Sequence, residues 1–450
     1  MSWNLLYALD FIALISFLVS YYHNCYRRGY RVDYWHINLF LYCVMPNMIM
    51  LPLAHSELNR IVLGQDMDSV QEALPTVFLV TLVGYLSILA GGRLWQLQLG
   101  IGIRKAAVRV LDVVPRCSLM LMSSSSVLIF QSVLCLLLQL MILAIFFSRN
   151  GFGFDLRAFT FANPSLRPVA LAISSYTILI ASHCLARYVE KKEKVLLACT
   201  LLLTFGMIFF GARSNLVAIY IAVLTCYLVK LRDRISLLRI SSLMASIVTG
   251  VLYLGSLRAG SYSPSDFFRS IAFLLFYGDT FSDLRDFAWV YSAWDHAFWA
   301  GKTYVAALMS FIPRFASEFR DTWGLGVATA STVGFDPQLH PGLRPGVFGE
   351  GFFNFGLFGV VAVGIMLGVV LKRVDTDIKQ ALAPPRPSMM KAFASSMMIG
   401  VASTFAISSG FSGLYILAGL YFFTWFCVSV HRIFMVRPFV GGDARSDYSN

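Results

Sequence analysis

Charge is what this chain has least of. Asp, Glu, Lys and Arg together make up 13% of its 450 residues, while 58% are hydrophobic. A soluble protein carries about 25% charged and about 45–50% apolar residues. So little polar surface cannot cover a globule in water, and lipid must solvate most of the chain. Cysteine is also sparse. Cys25, Cys43, Cys117, Cys135, Cys184, Cys199, Cys226 and Cys427 fall in apolar runs or in basic turns. Their spacing suits neither a metal site nor a disulfide framework, so they read as small packing residues. No apolar run carries a row of Asp, Glu or Lys at its centre, which argues against a proton relay of the pump kind. No internal repeat is visible, which argues mildly against repeat-built transporters. No basic flank precedes the first apolar run; Arg27 and Arg28 follow it, so it reads as a span and not as a cleaved signal peptide. The net charge of +12 would suit nucleic acid, but Lys and Arg sit in short clusters between apolar runs, and no nucleic-acid partner is expected.

What is present is length of apolar sequence. Runs at 3–22, 35–54, 73–92, 122–147, 168–187, 195–211, 213–230, 237–257, 347–371, 391–409 and 411–431 are each long enough to cross about 30 Å of hydrocarbon at 1.5 Å per residue. The predicted fold is an all-α polytopic integral membrane protein with about eleven transmembrane helices and one large outer loop. The chain divides into a first bundle, 1–257, the loop with short helices, 258–346, a second bundle, 347–436, and a disordered tail, 437–450. Tight junctions at 212 and 410 are its narrowest points. With the N-terminus outside, the inner turns hold 24 of the 36 Lys and Arg, the short outer segments 5, and the long loop 7. The positive-inside rule then puts the C-terminus in the cytoplasm.

The loop 258–346 is too long for a plain connection and too aromatic for disorder. It holds two short apolar runs, 266–277 and 303–312, the second ending at Pro313 and Arg314. Between them lie Trp289, Tyr291, Trp294, Phe298 and Trp299, with Trp323 beyond. These rings suit either an interfacial aromatic belt or a platform for sugar rings. The loop's Arg258, Arg269, Arg285, Arg314, Arg320 and Arg344 lie beside Asp279, Asp283, Asp286, Glu318, Asp321 and Glu350. Guanidinium pairs phosphate through two parallel bonds, so an Arg-rich loop at a membrane suits a lipid diphosphate.

Two constellations could carry chemistry. Arg213, in Gly211-Ala212-Arg213-Ser214-Asn215, is held between two apolar runs, where an Arg needs a partner or a cavity; a helix start there could hold phosphate. The segment His340-Pro341-Gly342-Leu343-Arg344-Pro345-Gly346 leads into Glu350 and Asn354. It reads as a turn that sets an imidazole, a guanidinium and a carboxylate at the mouth of the bundle, with Glu350 as a half-exposed general base. The bland readings are a snorkelling Arg and a capped helix start. Asp66-x-Asp68 is a pair that arises readily by chance, and no metal is expected. Gly100-x-Gly102 lacks a strand–turn–helix setting, and no cofactor is expected. His183, near a span end, reads as an inward polar contact.

At these residues the chain resembles the Wzy-type oligosaccharide repeat-unit polymerases of O-antigen and exopolysaccharide pathways in bacterial inner membranes. The match covers roughly 195–371. It runs through the Gly-x-Arg-Ser element, Leu257-Arg258, Gly278-Asp279-Thr280-Phe281-Ser282, Gly301-Lys302-Thr303-Tyr304, Ile312-Pro313-Arg314 and Phe348-Gly349-Glu350-Gly351-Phe352-Phe353-Asn354-Phe355-Gly356 with Gly359. The Arg-x10-Gly pattern of some such polymerases is absent. The resemblance implies a metal-independent glycosyl transfer at the periplasmic face: a chain on undecaprenyl diphosphate leaves its carrier and joins a new lipid-linked unit. A flippase and a chain-length regulator would be partners. Arg213, Arg258, Arg314 and Arg344 are the candidates for the diphosphate, Trp289, Trp294 and Asn354 for the sugar. Glu350, then Asp279, then His340 are the candidates for the base.

An O-antigen ligase would use the same donor and the same kind of loop, and a lipid-linked-oligosaccharide flippase is the transporter alternative. Accumulated product separates them. Loss of a polymerase leaves single units, loss of a ligase leaves long chains on the carrier, and loss of a flippase traps units inside.

Overall fold

The computed structural model describes residues 2–55, 68–96, 111–153, 156, 159, 160, 163, 165–210, 213–258, 282–312, 316–337, 342–408 and 411–435. Every regular element among them is helical. The first half comprises α1 (Trp3–Asn24), α2 (Tyr34–Leu39), a π-helix (Phe40–Ile49), α3 (Leu51–Ala54), α4 (Asp68–Gln96), α5 (Val113–Leu121), α6 (Ser125–Asn150), α7 (Arg167–Lys191) and α8 (Lys194–Ile208). Then follow α9 (Arg213–Lys230), α10 (Leu237–Arg258), α11 (Asp283–Ala293), α12 (Lys302–Leu308), α13 (Glu318–Trp323) and α14 (Leu325–Thr332). The last three are α15 (Gly346–Ala381), α16 (Met389–Ala406) and α17 (Phe411–Met435). Among the described residues six helices are long and apolar enough to cross a membrane: Trp3–Arg28, Asp68–Trp95, Ser125–Asn150, Arg167–Lys191, Gly346–Ala381 and Met389–Ala406. The apolar helices Lys194–Ile208, Leu216–Lys230 and Gly413–Phe426 are shorter. The chain is a helical membrane protein. The junctions at 211–212 and 409–410, the run 266–277, Asp66 and the tail lie outside the described residues.

Two of the expected runs are not single helices. The run 35–54 is α2, the ten-residue π-helix and α3 in succession, with Pro46 inside the π-helix. Proline has no N–H to give and its ring crowds the carbonyl four residues back, so the chain widens there; Asn47 Nδ2 donates to the carbonyl of Cys43 at 3.2 Å. The run 347–371 lies in α15, and α15 is two helices. Gly356 has φ 62° and ψ −150°, a backbone region that is essentially Gly-only. A Cβ on Gly359 would stand 2.1 Å from the carbonyl oxygen of Gly351. Eight residues of straight helix separate two such atoms by about 12 Å, so 346–355 folds back along 357–381. The second part alone is about 37 Å long, enough for the hydrocarbon core.

That second part packs against α4 through small residues. A Cβ on Gly91 would meet the carbonyl oxygen of Ile365 at 2.3 Å, one on Gly368 that of Ile88 at 2.1 Å, and one on Gly364 the side chain of Ser87 at 2.6 Å. Close backbone approach of this kind replaces the hydrophobic effect, which lipid does not supply between helices. Polar side chains tie the other helices. Gln139 of α6 donates to Thr177 Oγ1 of α7 at 2.9 Å and to the carbonyl of Leu203 at 3.2 Å. Buried His183 meets Ser118 Oγ at 2.7 Å and the carbonyl of Leu179 at 2.6 Å, the inward contact its position suggested.

The helix ends sort into two groups. Arg31 N donates to the carbonyl of Arg232 at 2.7 Å, Lys372 lies over Trp35 at 5.3 Å, Arg373 pairs with Asp112 at 3.1 Å, and Ser388 donates to Glu190 at 2.9 Å. The basic turns assigned to one side thus meet at one end of the bundle. At the other end Trp3 stacks on His55 at 3.4 Å, Leu156 N donates to Phe209 O at 3.1 Å, and α11 packs against the start of α15, with Phe287 edge-on to Phe353 at 5.3 Å.

Candidate functional site

The loop segment after α11 is shaped by its own polar atoms. Asp295 Oδ1 accepts from the amide of Ala297 at 3.0 Å, a turn that Asp forms readily, and Trp294 Nε1 donates to the carbonyl of Ala297 at 2.9 Å. Ala300 and Gly301 then take φ of 50° and 82°, which reverses the chain into α12. This reversal is docked on the break in α15. The break at Gly356 leaves carbonyls near it without their usual amides four residues on. Trp299 N donates to Phe353 O at 2.9 Å and Ala300 N to Asn354 O at 3.1 Å. The Trp299 indole stacks on Phe353 at 4.9 Å.

Above this contact lies a cavity of about 1170 Å³. Trp294, Phe298, Trp299 and Trp323 give it aromatic walls, and Asp295, Asp321 and Asp336 give it carboxylates. Lys302 and Arg167, the first residue of α7, bring positive charge to the same walls. Lys302 Nζ sits 4.2 Å from the centre of the Trp323 ring, a cation–π contact. Aromatic faces beside carboxylates can hold the C–H faces and the hydroxyls of sugar rings together. The volume exceeds the ~300–1,000 Å³ of small-molecule sites, so it suits an extended ligand.

Glu350 is not on this wall. The sequence places it half-exposed at the lip of a span; the fold-back of 346–355 carries it inside, where it is fully buried. Thr303 Oγ1 donates to Glu350 Oε1 at 2.6 Å and the amide of Ser408 to Oε2 at 2.7 Å. Asn354 Nδ2 donates to Thr303 Oγ1 at 2.8 Å and to the carbonyl of Glu350 at 2.8 Å. Glu350 and Asn354 therefore tie α12, the short helix of α15 and the end of α16 into one unit beneath the cavity floor. The expectation that Glu350 is a half-exposed base, and that Asn354 lines a sugar site, is corrected accordingly: both are buried behind Thr303.

The turn at 342–346 is anchored differently from the expected mouth. Arg344 is exposed, and its amide donates to Asp286 Oδ2 at 3.3 Å. Asp286 also accepts from Ser282 Oγ at 2.8 Å and from Arg285 Nη2 at 2.9 Å. Beside it, Asp283 packs on Gly346. Burial, then the neighbouring Asp286 carboxylate, push Asp283 up to about 6 against the pull of Arg344.

Of the other predicted residues, Trp294 is a cavity wall, whereas Trp289 packs edge-on against Phe335 at 5.4 Å, off the cavity. Arg213 begins α9 and Arg258 ends α10. Asp279, Arg314 and His340 lie outside the described residues. Sequence reasoning missed Arg167, Asp295, Lys302 and Asp336 as site residues. Lys302 had a signal, since it lies in the Gly301–Tyr304 element; the others come together only in the fold. No family model matches this chain, and neither a curated protein nor a solved structure is significantly similar to it.

Proposed function

We propose that the protein is a glycosyltransferase of the Wzy polymerase kind, with eleven membrane crossings and the cavity facing the periplasm of a bacterial inner membrane. It joins oligosaccharide units carried on undecaprenyl diphosphate. The observation that carries the reading is the cavity itself, in which aromatic rings, carboxylates and two cations converge over a membrane bundle. The acceptor sugar stacks on Trp323, which is only partly buried, beside exposed Phe298; Trp294, buried against Phe352 and Phe353, backs that wall. One of Asp295, Asp321 and Asp336 takes the proton of its attacking hydroxyl, because only an accessible carboxylate can meet it. The bond from the donor's anomeric carbon to the diphosphate breaks, and the leaving group departs as an anion. Arg167 and Lys302 neutralise it, and Arg213, Arg258, Arg314 and Arg344 remain further candidates for that charge.

Trp323 tests this directly. A sugar ring on an indole face contributes on the order of 1–1.5 kcal/mol, about tenfold in affinity. Trp323→Ala should weaken binding of a synthetic lipid-diphosphate oligosaccharide about tenfold and shorten the polymer made from it. Unchanged binding and unchanged polymer would sink the proposal. The orientation has its own test, motivated by the charge asymmetry of 24 against 5. A reporter active only outside should be active when fused after residue 310 and silent after 382; the reverse pattern inverts the topology.

A further inference from the structure

We propose that Ser20, His36 and Asp33 form a second catalytic site, a serine hydrolase centre that cleaves acyl esters of anionic glycerophospholipids at the membrane face opposite the cavity. Ser20 lies in the last turns of α1, and Asp33 and His36 open α2. Ser20 Oγ is 3.1 Å from His36 Nε2, and His36 Nδ1 is 2.8 Å from Asp33 Oδ1. A carboxylate on Nδ1 holds the proton there and leaves the lone pair of Nε2 facing the hydroxyl, the tautomer a serine nucleophile requires. Asp33 is itself fixed, because it also accepts from the amide of His36 at 2.8 Å and so caps α2.

The burial pattern separates the roles. His36 and Asp33 are 3% and 4% exposed, while Ser20 is only partly covered. The base and its orienting group are shielded from water and the nucleophile is reachable. Phe17 and Tyr21 stand edge-on to the imidazole at 5.9 and 5.7 Å and fix its plane. Asn24 Nδ2, on an exposed side chain, lies 3.4 Å from Ser20 Oγ. It is a donor next to the place where an oxyanion would form.

The surroundings select the substrate class. Val19 and Tyr22 flank Ser20 with half of their surface exposed, an apolar approach from the bilayer. Arg27 and Arg28, in the short helical turn that follows α1, are exposed and suit a lipid phosphate. In the reaction Ser20 Oγ attacks the acyl carbonyl carbon while its proton passes to His36 Nε2, and the oxyanion accepts from Asn24. The ester C–O bond then breaks, and His36 returns the proton to the departing lysophospholipid alkoxide. Water, giving its proton to His36, attacks the acyl carbon; the bond from that carbon to Ser20 Oγ breaks, His36 returns the proton to Ser20 Oγ, and a fatty acid leaves.

The test uses the purified full-length protein in detergent with an alkyl fluorophosphonate. One adduct should form, mapped to Ser20, absent in Ser20→Ala and formed at least ~10²-fold more slowly in His36→Gln. Phosphatidylglycerol vesicles should release fatty acid and lysophospholipid at a rate at least tenfold above phosphatidylcholine vesicles. Ser20→Ala should bring that release to the level of protein-free vesicles. Ser20→Ala removes one oxygen at a partly exposed position, so its thermal unfolding should match that of the parent and keep the comparison valid. No adduct on Ser20 in a protein that unfolds cooperatively overturns the site, and so does fatty-acid release that survives Ser20→Ala. Equal rates on both vesicles overturn the anionic selectivity.

Discussion

Glu350→Gln is expected to keep a polymer ladder while lowering the unfolding temperature, and Glu350→Ala to lose both polymer and folded protein. The reason is the pair of hydrogen bonds that the buried carboxylate accepts, from Thr303 Oγ1 and from the amide of Ser408. A glutamine can aim its carbonyl oxygen at the Ser408 amide and turn its NH₂ to Thr303, whose hydroxyl oxygen can accept. That exchange replaces a hydrogen bond to the carboxyl with a weaker one from the amide, on the order of 1 kcal/mol. Alanine removes both acceptors, strands a buried amide and opens a void, which together cost on the order of 2–5 kcal/mol. The contrast decides between two roles. As a positioning residue Glu350 should show activity that follows stability across the Gln, Asp and Ala variants, measured by thermal unfolding in detergent beside the polymer ladder. Were Glu350 the base, Glu350→Gln would be inactive at temperatures where it stays folded, and the assignment would return from the cavity carboxylates to this residue.

How much of this was legible in the sequence depends on what each feature rests on. Nine of the eleven expected runs each contain one main continuous helix among the described residues, and six helices there are long and apolar enough to cross a membrane, because burial in lipid is written as uninterrupted apolar length. The grouping of the basic turns at one end was legible for the same reason: charge must stay out of hydrocarbon. Pro46 marked a defect, but proline alone does not say that the chain answers with ten residues of π-helix. Gly356 was one glycine among Gly349, Gly351, Gly359, Gly364 and Gly368. Composition shows where a backbone can approach closely, not which glycine takes a left-handed φ. Everything that placed Glu350 followed from that one residue, so its position at a span's lip was a consequence of reading α15 as straight. The cavity was half legible. Trp294 and Trp323 announced an aromatic loop, whereas Arg167, Asp295 and Asp336 come from segments far apart in the chain and meet only through tertiary packing.

The largest effect should come from Gly359→Ala. The added Cβ would stand 2.1 Å from the carbonyl oxygen of Gly351 and 3.0 Å from the Phe355 side chain. The first contact is with backbone inside a helix, which cannot step aside without unwinding, so the cost should exceed the ~1–3 kcal/mol of ordinary overpacking. The short helix 346–355 would then be pushed off 357–381. It carries the carbonyls of Phe353 and Asn354 that receive Trp299 and Ala300, so the cavity floor should move with it. Gly356→Ala should act in the same direction by a different route. It forces a side chain into a Gly-only backbone region, at about 1–3 kcal/mol, and brings its Cβ to 3.1 Å from the Phe298 ring. Gly400 is the control. It lies within α16 with nothing within 4 Å of an added Cβ, so Gly400→Ala should stabilise by roughly 0.5–1 kcal/mol. Thermal unfolding and oligosaccharide binding of the three purified variants check the order. Gly359→Ala and Gly356→Ala should lose binding at temperatures where Gly400→Ala binds normally. If Gly359→Ala unfolds and binds as the parent does, 346–355 does not fold back on 357–381, and the placement of Glu350, Asn354 and the cavity floor fails with it.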